Sequence, residues 1–528
     1  MGKTIDPRKV WEEYQKGVEY NTAVDLYETV KRNENFFIGK QWEGVNAPDL
    51  PKPTMNFLKR VVSYFVAMLA SDDISVSLTP FMPDSQQQQL LDFVADEVSN
   101  IMEQDKTKSK NRVLLRNAAV DGDACLYVWF DADAETGQEA KGRIRTEVVE
   151  NINVLFANPY SDDLQGQRSI IIVQRKTVED VREEAKANGG DPESIKPDAD
   201  EHQGEKNDSN SLCTVCIRLW KKDGTVWAQK STQDAVVRKA WDTGYKVYPL
   251  AYWSWDKVRS SYHGQACITG LIPNQIAVNK LYAMAVRSVE LNAFPKVIYD
   301  QTKIARWDNT VGQAIPVTGD ITQAAVSSFK VQDMSAQVMD CVDRTVSMTR
   351  DFMGASDAAL GNVKPDNTSA IIAVQQASAV PLELQQMAFY QFVEDYVRVM
   401  LELMRVHYGI RQVVTGEQTD PMTGQVYVEV VQVDYSILDD PSLTLNVDIG
   451  PSSYWSESMQ VQTLDNLFAA QVIDKLTYVK SIPDKYVPNK AEIIESIEQA
   501  MAQEAAAAQA AMMTPTTPPN PMMGGEFI

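Results

Sequence analysis

Gly2-Lys3-Thr4 has the residue types that end a phosphate-binding loop, where backbone amides and a lysine grip a triphosphate. The upstream glycine at the required spacing and a preceding strand are both missing, so the run reads as a frayed terminus. Cys213 and Cys216 have the spacing of half a zinc site, but no second pair or nearby histidine completes four ligands, and two strand cysteines are expected instead. Asp131, Asp133 and Glu135 begin like a calcium loop. Gly137 falls one position late for its sharp turn, and Gly142 stands where a bidentate glutamate is required, which leaves a solvated hairpin. Asp121-Gly122-Asp123 offers paired carboxylates for acid–base work, yet a helix-to-strand turn has the same composition. The three histidines, His202, His263 and His407, form no Ser-His-Asp order and no metal cluster. Asn367-Thr368-Ser369 is formally a glycosylation acceptor and reads better as a helix N-cap. No catalytic residue, metal or cofactor is expected.

The chain has 528 residues, 72 acidic against 50 basic, for a net charge of −22. That balance excludes a protein that coats nucleic acid through bulk charge, because such binding needs lysine and arginine to displace counterions from phosphate. It allows one past which nucleic acid slides. A hydrophobic content of 44% in so long a chain predicts several folded domains rather than disorder. No stretch approaches eighteen consecutive apolar residues, and Asp6, Arg8, Lys9, Glu12 and Glu13 stand where a signal peptide would be apolar. The expectation is a chain without a membrane span, made in the cytoplasm, where five scattered cysteines suit a reducing compartment.

Apolar spacing predicts one amphipathic helix over residues 7–33, with Asp6 as N-cap and Pro7 at its first position. Gly39 and Gly44 bracket Trp42 in a turn. Further helices are expected from Phe57 to Leu69, from Asp84 to Asp105 and from Lys108 to Val120. Strands follow at Ala124–Phe130, Arg143–Val149, Asn153–Phe156, Cys213–Trp220 and Val226–Lys230, the last two joined by the hairpin signal Lys222-Asp223-Gly224. Residues 188–211, polar and acidic, read as an exposed insertion rather than a core element. Helices over Asn274–Ala293 and Ser335–Met353 flank a compact excursion at 294–331. The longest helix is expected from Ser369 to Tyr408, kinked by Pro381. A hairpin (Ile410–Val414 with Val426–Val433), a strand at Ser442–Ile449, helices at Ser456–Gln471 and Ala491–Met512, and a disordered tail at 514–528 complete the chain. The fold class is mixed α+β with helix predominant.

In that order the chain resembles the portal proteins of tailed bacteriophages. The likeness is carried by FFIGKQW and PTMNFLKRVVSYFV, by NAAVDGDACLYV, by NINVLFANPYSDDLQGQRSIIIVQRKTVEDV, by YPLAYWSWDKVRSSYHGQACITGLIPNQIAVNK and by ASDAALGNVKPDNTSAIIAVQQAS, together spanning residues 36–378. The resemblance implies a wing at 1–263, a first stem helix at 264–293, a clip at 294–331 and a second stem helix at 332–353. It further implies a wing return at 354–450 with a channel loop at 354–368, the long kinked helix at 369–408, and a crown at 451–513. It implies a homo-oligomeric ring, usually of twelve copies, at one capsid vertex, conducting double-stranded DNA in packaging and ejection. Its partners would be the large terminase subunit, which docks on the clip, the major capsid and scaffold proteins, and later the head–tail adaptors; it would be no enzyme. Lys364 is the only cation of the channel loop and, with Asn367 beside it, is a candidate to touch phosphate; Lys330, Arg344 and Arg350 are candidates on and near the second stem helix. Ion pairing with carboxylates is the competing role for each. Pro273 interrupts the start of the first stem helix. Two other readings compete: another oligomeric phage connector or adaptor, usually much shorter than this chain, and a packaging ATPase or nuclease, which would need the phosphate loop and carboxylate cluster not found above.

Overall fold

Asp6 and Pro7 open the first helix as the sequence predicts. The Asp6 carboxylate accepts from the Arg8 amide at 3.0 Å, and α1 runs over Pro7–Ala23. The single helix expected over 7–33 is corrected here. Asp25 adopts φ +58, a left-handed conformation that aspartate tolerates, and the chain restarts as α2 (Leu26–Ile38). This computed structural model describes residues 4–70, 73–80, 85–136, 141–198, 211–293, 296–307, 316–320, 326–329, 335–352, 382–419, 426–439, 443–450, 463–469, 473–482, 490, 493–494 and 496–497. The chain divides into two compact units, residues 1–449 and 450–528.

In the first unit, α3 (Phe57–Leu69) is capped by Asn56, whose side chain accepts from the Lys59 amide, and it buries Leu58, Val61, Val62, Phe65 and Leu69. The strand β1 (Asp73–Pro80), not anticipated, alternates Ile74, Val76 and Leu78. The helices α4 (Ser85–Gln104) and α5 (Thr107–Asp121) follow, then β2 (Asp123–Asp131), β3 (Arg143–Val149), β4 (Val154–Phe156) and β5 (Ser169–Thr177). Next come α6 (Val178–Ala187), β6 (Leu212–Lys222), β7 (Thr225–Ser231), β8 (Val236–Asp242) and β9 (Leu250–Ser254). Strands β3, β2 and β9 make one antiparallel sheet in that order, and β4 to β8 make a five-stranded antiparallel meander. Asp223 and Gly224 both take positive φ in the β6–β7 turn, the twist a two-residue hairpin requires.

The insertion reading of 188–211 needs correction over its described part. Ile195, its one large apolar residue, is fully buried with Val178, Val181, Val215 and Val237. Asp198 then anchors the segment by accepting from the Thr214 amide and hydroxyl at 3.1 and 2.7 Å. Residues 199–210 lie outside the described residues. Cys213 and Cys216 point into different cores, as an odd spacing on a strand demands, and burial raises their thiols to about 11 and about 12. They form no thiolate pair.

Downstream, α7 (Ile272–Ala293) starts with Pro273 in its first turn, where the missing N–H is harmless. After it come β10 (Lys296–Tyr299), β11 (Val326–Phe329) and α8 (Ser335–Phe352), and then α9 (Glu383–His407). Residues 369–381, and with them the Pro381 kink, lie outside the described residues. The α9 stripe Phe389, Val393, Tyr396, Met400 and Leu403 is buried in the main core. Finally β12 (Ile410–Thr419) pairs with β13 (Val426–Asp434), and β14 (Leu443–Gly450) pairs with β1. In the second unit, residues 463–469 are helical and a short α10 (Lys475–Ser481), not anticipated, is capped by Asp474. Only four residues of the helix expected at 491–512 are described, all helical, and the tail at 514–528 lies outside.

Candidate nucleic-acid interface and the junction behind it

The chain leaves the first unit's core as a helix, a two-stranded ribbon and a returning helix. Lys296 pairs with Phe329 and Tyr299 with Val326 across β10 and β11. The two helices run antiparallel, since Asn274 at the start of α7 donates to the Thr349 hydroxyl near the end of α8 at 3.1 Å. Their base is seated in a small core of Phe36, Phe57, Leu58, Ile272, Val278 and Val342. Met284, Val289 and Met348 on the helices and Ile298 on the ribbon are more than half exposed.

Of the sequence-predicted candidates, Arg344 lies on α8 and pairs with Asp340 one turn back at 3.1 Å. Both side chains are mostly exposed, so that pair contributes at most about 1 kcal/mol. Arg350 sits in the last turn of α8, where its charge complements the helix dipole. Six residues separate the two arginines, which puts them about 120° apart around the helix rather than on one face. Lys330, Lys364 and Asn367 lie outside the described residues.

Behind α7, a buried polar junction joins segments far apart in sequence. Asp123, the first residue of β2, is 1% exposed. Its carboxylate accepts from the Ser254 hydroxyl and the Gly264 amide, both at 2.8 Å, and from the Asn151 side chain at 3.3 Å. It also faces Nδ1 of His263 at 2.9 Å, while Nε2 of His263 lies 3.1 Å from Oδ1 of Asn21 on α1. Tyr262 closes the cluster, donating to the Val154 carbonyl at 3.0 Å, with its ring 3.9 Å from the His263 ring. On the next side, Asn33 of α2 donates to the Val120 carbonyl and to the Thr269 hydroxyl at 2.8 and 2.9 Å.

The close approach needs two glycines. Gly122, with φ +103, ends α5, and a Cβ there would lie 2.8 Å from the Gly264 carbonyl oxygen. The turn predicted at Asp121–Asp123 is therefore present, and it does more than reverse the chain. The arrangement does not make a nucleophile: Ser254 donates to the carboxylate, not to the imidazole, and Nε2 is occupied by Asn21. Sequence reading set Asp123 and His263 aside. Their one signal was an ionisable residue embedded in each of two apolar, aromatic runs, DACLYVWF and SSYHGQACI. His407 lies elsewhere, stacked 4.2 Å from Phe130 and 2.7 Å from the Tyr245 hydroxyl, and burial lowers its pKa.

Beside the junction, burial raises Asp121 to about 7, reinforced by Glu34, Glu150 and Asp123, although Arg116 at 3.8 Å pulls it back. Its folded pKa exceeds its unfolded one, so between about pH 4 and about pH 7 the folded chain holds a proton the unfolded chain has lost. Stability then falls as pH rises through that window. Asp121→Asn should flatten the dependence and raise stability at about pH 8 by roughly 2 kcal/mol, allowing for the lost Arg116 contact. Thermal melts of both proteins across pH check this; parallel curves would refute it.

The family comparison bears on the segment from β6 onward. The family model for phage P22-like portal proteins matches residues 219–526, more than half of the chain. The chain belongs to the P22-like phage portal protein family. A comparison with curated proteins finds no match. The match takes in the helix–ribbon–helix, α9 and the second unit, so these are portal-protein elements and the chain is a capsid-associated structural component of a phage. Family membership also implies an oligomeric ring. Among the described residues of this portal protein no helix is long and apolar enough to cross a membrane, and no three His, Cys, Asp or Glu side chains are grouped to hold a metal ion.

Proposed function

We propose that the chain forms a ring at one capsid vertex through which double-stranded DNA passes during packaging and ejection. In this reading residues 264–293 and 332–353 are the stem, 294–331 the clip that docks the terminase motor and later the tail adaptors, and 451–513 the crown. Residues 1–263 with 354–450 are the wing, and the protein conducts DNA without hydrolysing a nucleotide. The observation that carries this is the slender α7–β10–β11–α8 excursion with Met284, Val289, Ile298 and Met348 uncovered in a single chain. Apolar side chains at that density on a projecting element are stabilised when neighbouring copies bury them. The net charge of −22 fits the same role. An acidic wall repels phosphate, and a few cations such as Arg344 and Lys364 then guide DNA without trapping it.

The test is the mass and shape of the purified protein, by light scattering after size exclusion and by negative-stain microscopy. Twelve copies of 59.0 kDa make about 708 kDa, and a ring with a central hole is expected. Met284→Glu with Met348→Glu should shift the mass toward monomer, and Lys364→Ala with Arg344→Glu should leave the ring intact while reducing DNA packaged or retained. A monodisperse monomer that forms no ring even with scaffold or capsid protein present overturns the assembly reading, and unchanged packaging overturns the cation assignment.

A further inference from the structure

A basic surface on this acidic protein lies far in sequence from the proposed stem and clip. Residues 106–116, KTKSKNRVLLR, carry five cations and no carboxylate. Lys108, Arg112 and Arg116 recur every four residues, which puts them on one stripe of α5 about 6 Å apart. Lys108 and Arg112 are exposed, and Arg116 is half-buried and engaged with Glu34. Alongside runs α3, whose exposed stripe is Lys59, Ser63 and Ala67.

Two hollows that share Ala70 open along α5, one against α3 and the other against α4 and Phe389 of α9. One, of about 410 Å³, has Phe37, Val62, Val66 and Ala67 as its floor and Arg112 and Arg116 as its wall. The other, of about 360 Å³, is floored by Leu69, Met102 and Phe389 and rimmed by Lys106 and Lys108, with Glu103 the single carboxylate among the described lining residues of either hollow. Along α5 their walls are centred about six residues apart, or roughly 9 Å.

We propose that this groove docks an acidic amphipathic helix of a partner protein, with two apolar side chains one i, i+7 interval apart seated in the two hollows. That interval spans about 10 Å on a helix, close to the separation of the hollows. Acidic residues flanking the anchors would meet Lys59, Lys106, Lys108 and Arg112. Nucleic acid would satisfy the cations but would leave the apolar floor uncovered, so the hollows favour a helix over a phosphate backbone.

The experiment titrates full-length protein into a labelled peptide of about 18 residues with leucine at i, i+3, i+7 and i+10 and glutamate on the flanks, followed by fluorescence anisotropy. Saturable binding is expected, weakened tenfold or more by Arg112→Glu and, independently, by Ala67→Trp, which fills a hollow without changing charge. Ser63→Trp serves as a second, charge-neutral groove variant should Ala67→Trp melt early, and each variant is used only if its mass and melting match the parent. The same peptide with serine for leucine should bind at least tenfold more weakly. Absence of saturable binding overturns the proposal. So does equal binding of the serine peptide, or of a duplex of about 20 base pairs, with no effect of Ala67→Trp, since the surface would then act through charge alone.

Discussion

Asp123→Ala will cost this portal protein about 2–4 kcal/mol and lower its melting temperature by several degrees. The carboxylate is buried, yet it is the common acceptor for Ser254, Gly264, Asn151 and His263. Removing it strips the Gly264 amide of its acceptor and leaves Ser254, Asn151 and His263 only their second contacts, the Tyr262 and Asp121 carbonyls and the Tyr252 hydroxyl, and an unmet buried group costs more than a single hydrogen bond contributes. The loss is also placed where it matters, because Asp123 on β2 and its four partners join the neighbouring strand β9, the turn before β4 and the segment that leads into α7. Asp123→Asn is the informative control. Its oxygen can still accept from Ser254 and Gly264, but its amide nitrogen then confronts His263 and Asn151, so an intermediate loss is expected. Urea unfolding followed by tryptophan fluorescence reads both variants. A midpoint for Asp123→Ala within experimental error of the parent would mean that the junction does not hold the fold together.

Gly122→Ala is expected to cost about 3 kcal/mol or more, from two separable causes. At φ +103 any side chain is strained, by about 1–3 kcal/mol. In addition the new Cβ would sit 2.8 Å from a backbone oxygen, that of Gly264, which cannot swing aside as a side-chain tip would. Gly44 separates these causes, for it has φ +76 and nothing within 4 Å of the place a methyl group would take. Gly44→Ala should therefore show the conformational cost alone, about 1 kcal/mol. If the two alanine variants melt together, the close approach of Gly122 to Gly264 is not what the glycine is for. A shift of Gly264 would also move the segment into α7, so Gly122→Ala should reduce ring yield as well as stability.

Local physics was readable in the chain. The apolar stripe placed α3 to the residue, Asp6-Pro7 placed the start of α1, and Asp223-Gly224 placed the β6–β7 turn, because periodicity, capping and turn chemistry act within a few residues. The order of helix, excursion and returning helix, which carried the portal resemblance, was legible for the same reason. The break at Asp25 was not, since its apolar spacing continues across it and only a left-handed backbone angle interrupts the helix. Burial of Ile195 in a polar, acidic segment was hidden too, because an apolar floor supplied by α6, β6 and β8 decides it. Pairing of β1 with β14 joins strands at opposite ends of the first unit. The junction of Asp123 with His263, 140 residues apart, depends on two glycine backbones passing in contact. By itself, then, the sequence determined the main helices and many of the strands, the acidic balance and the family, since propensity, charge and residue order are properties of the chain. Which carboxylate is buried, which histidine it meets and where the basic groove opens were decided only by tertiary structure, because a buried hydrogen-bond network and a groove exist only where distant segments meet.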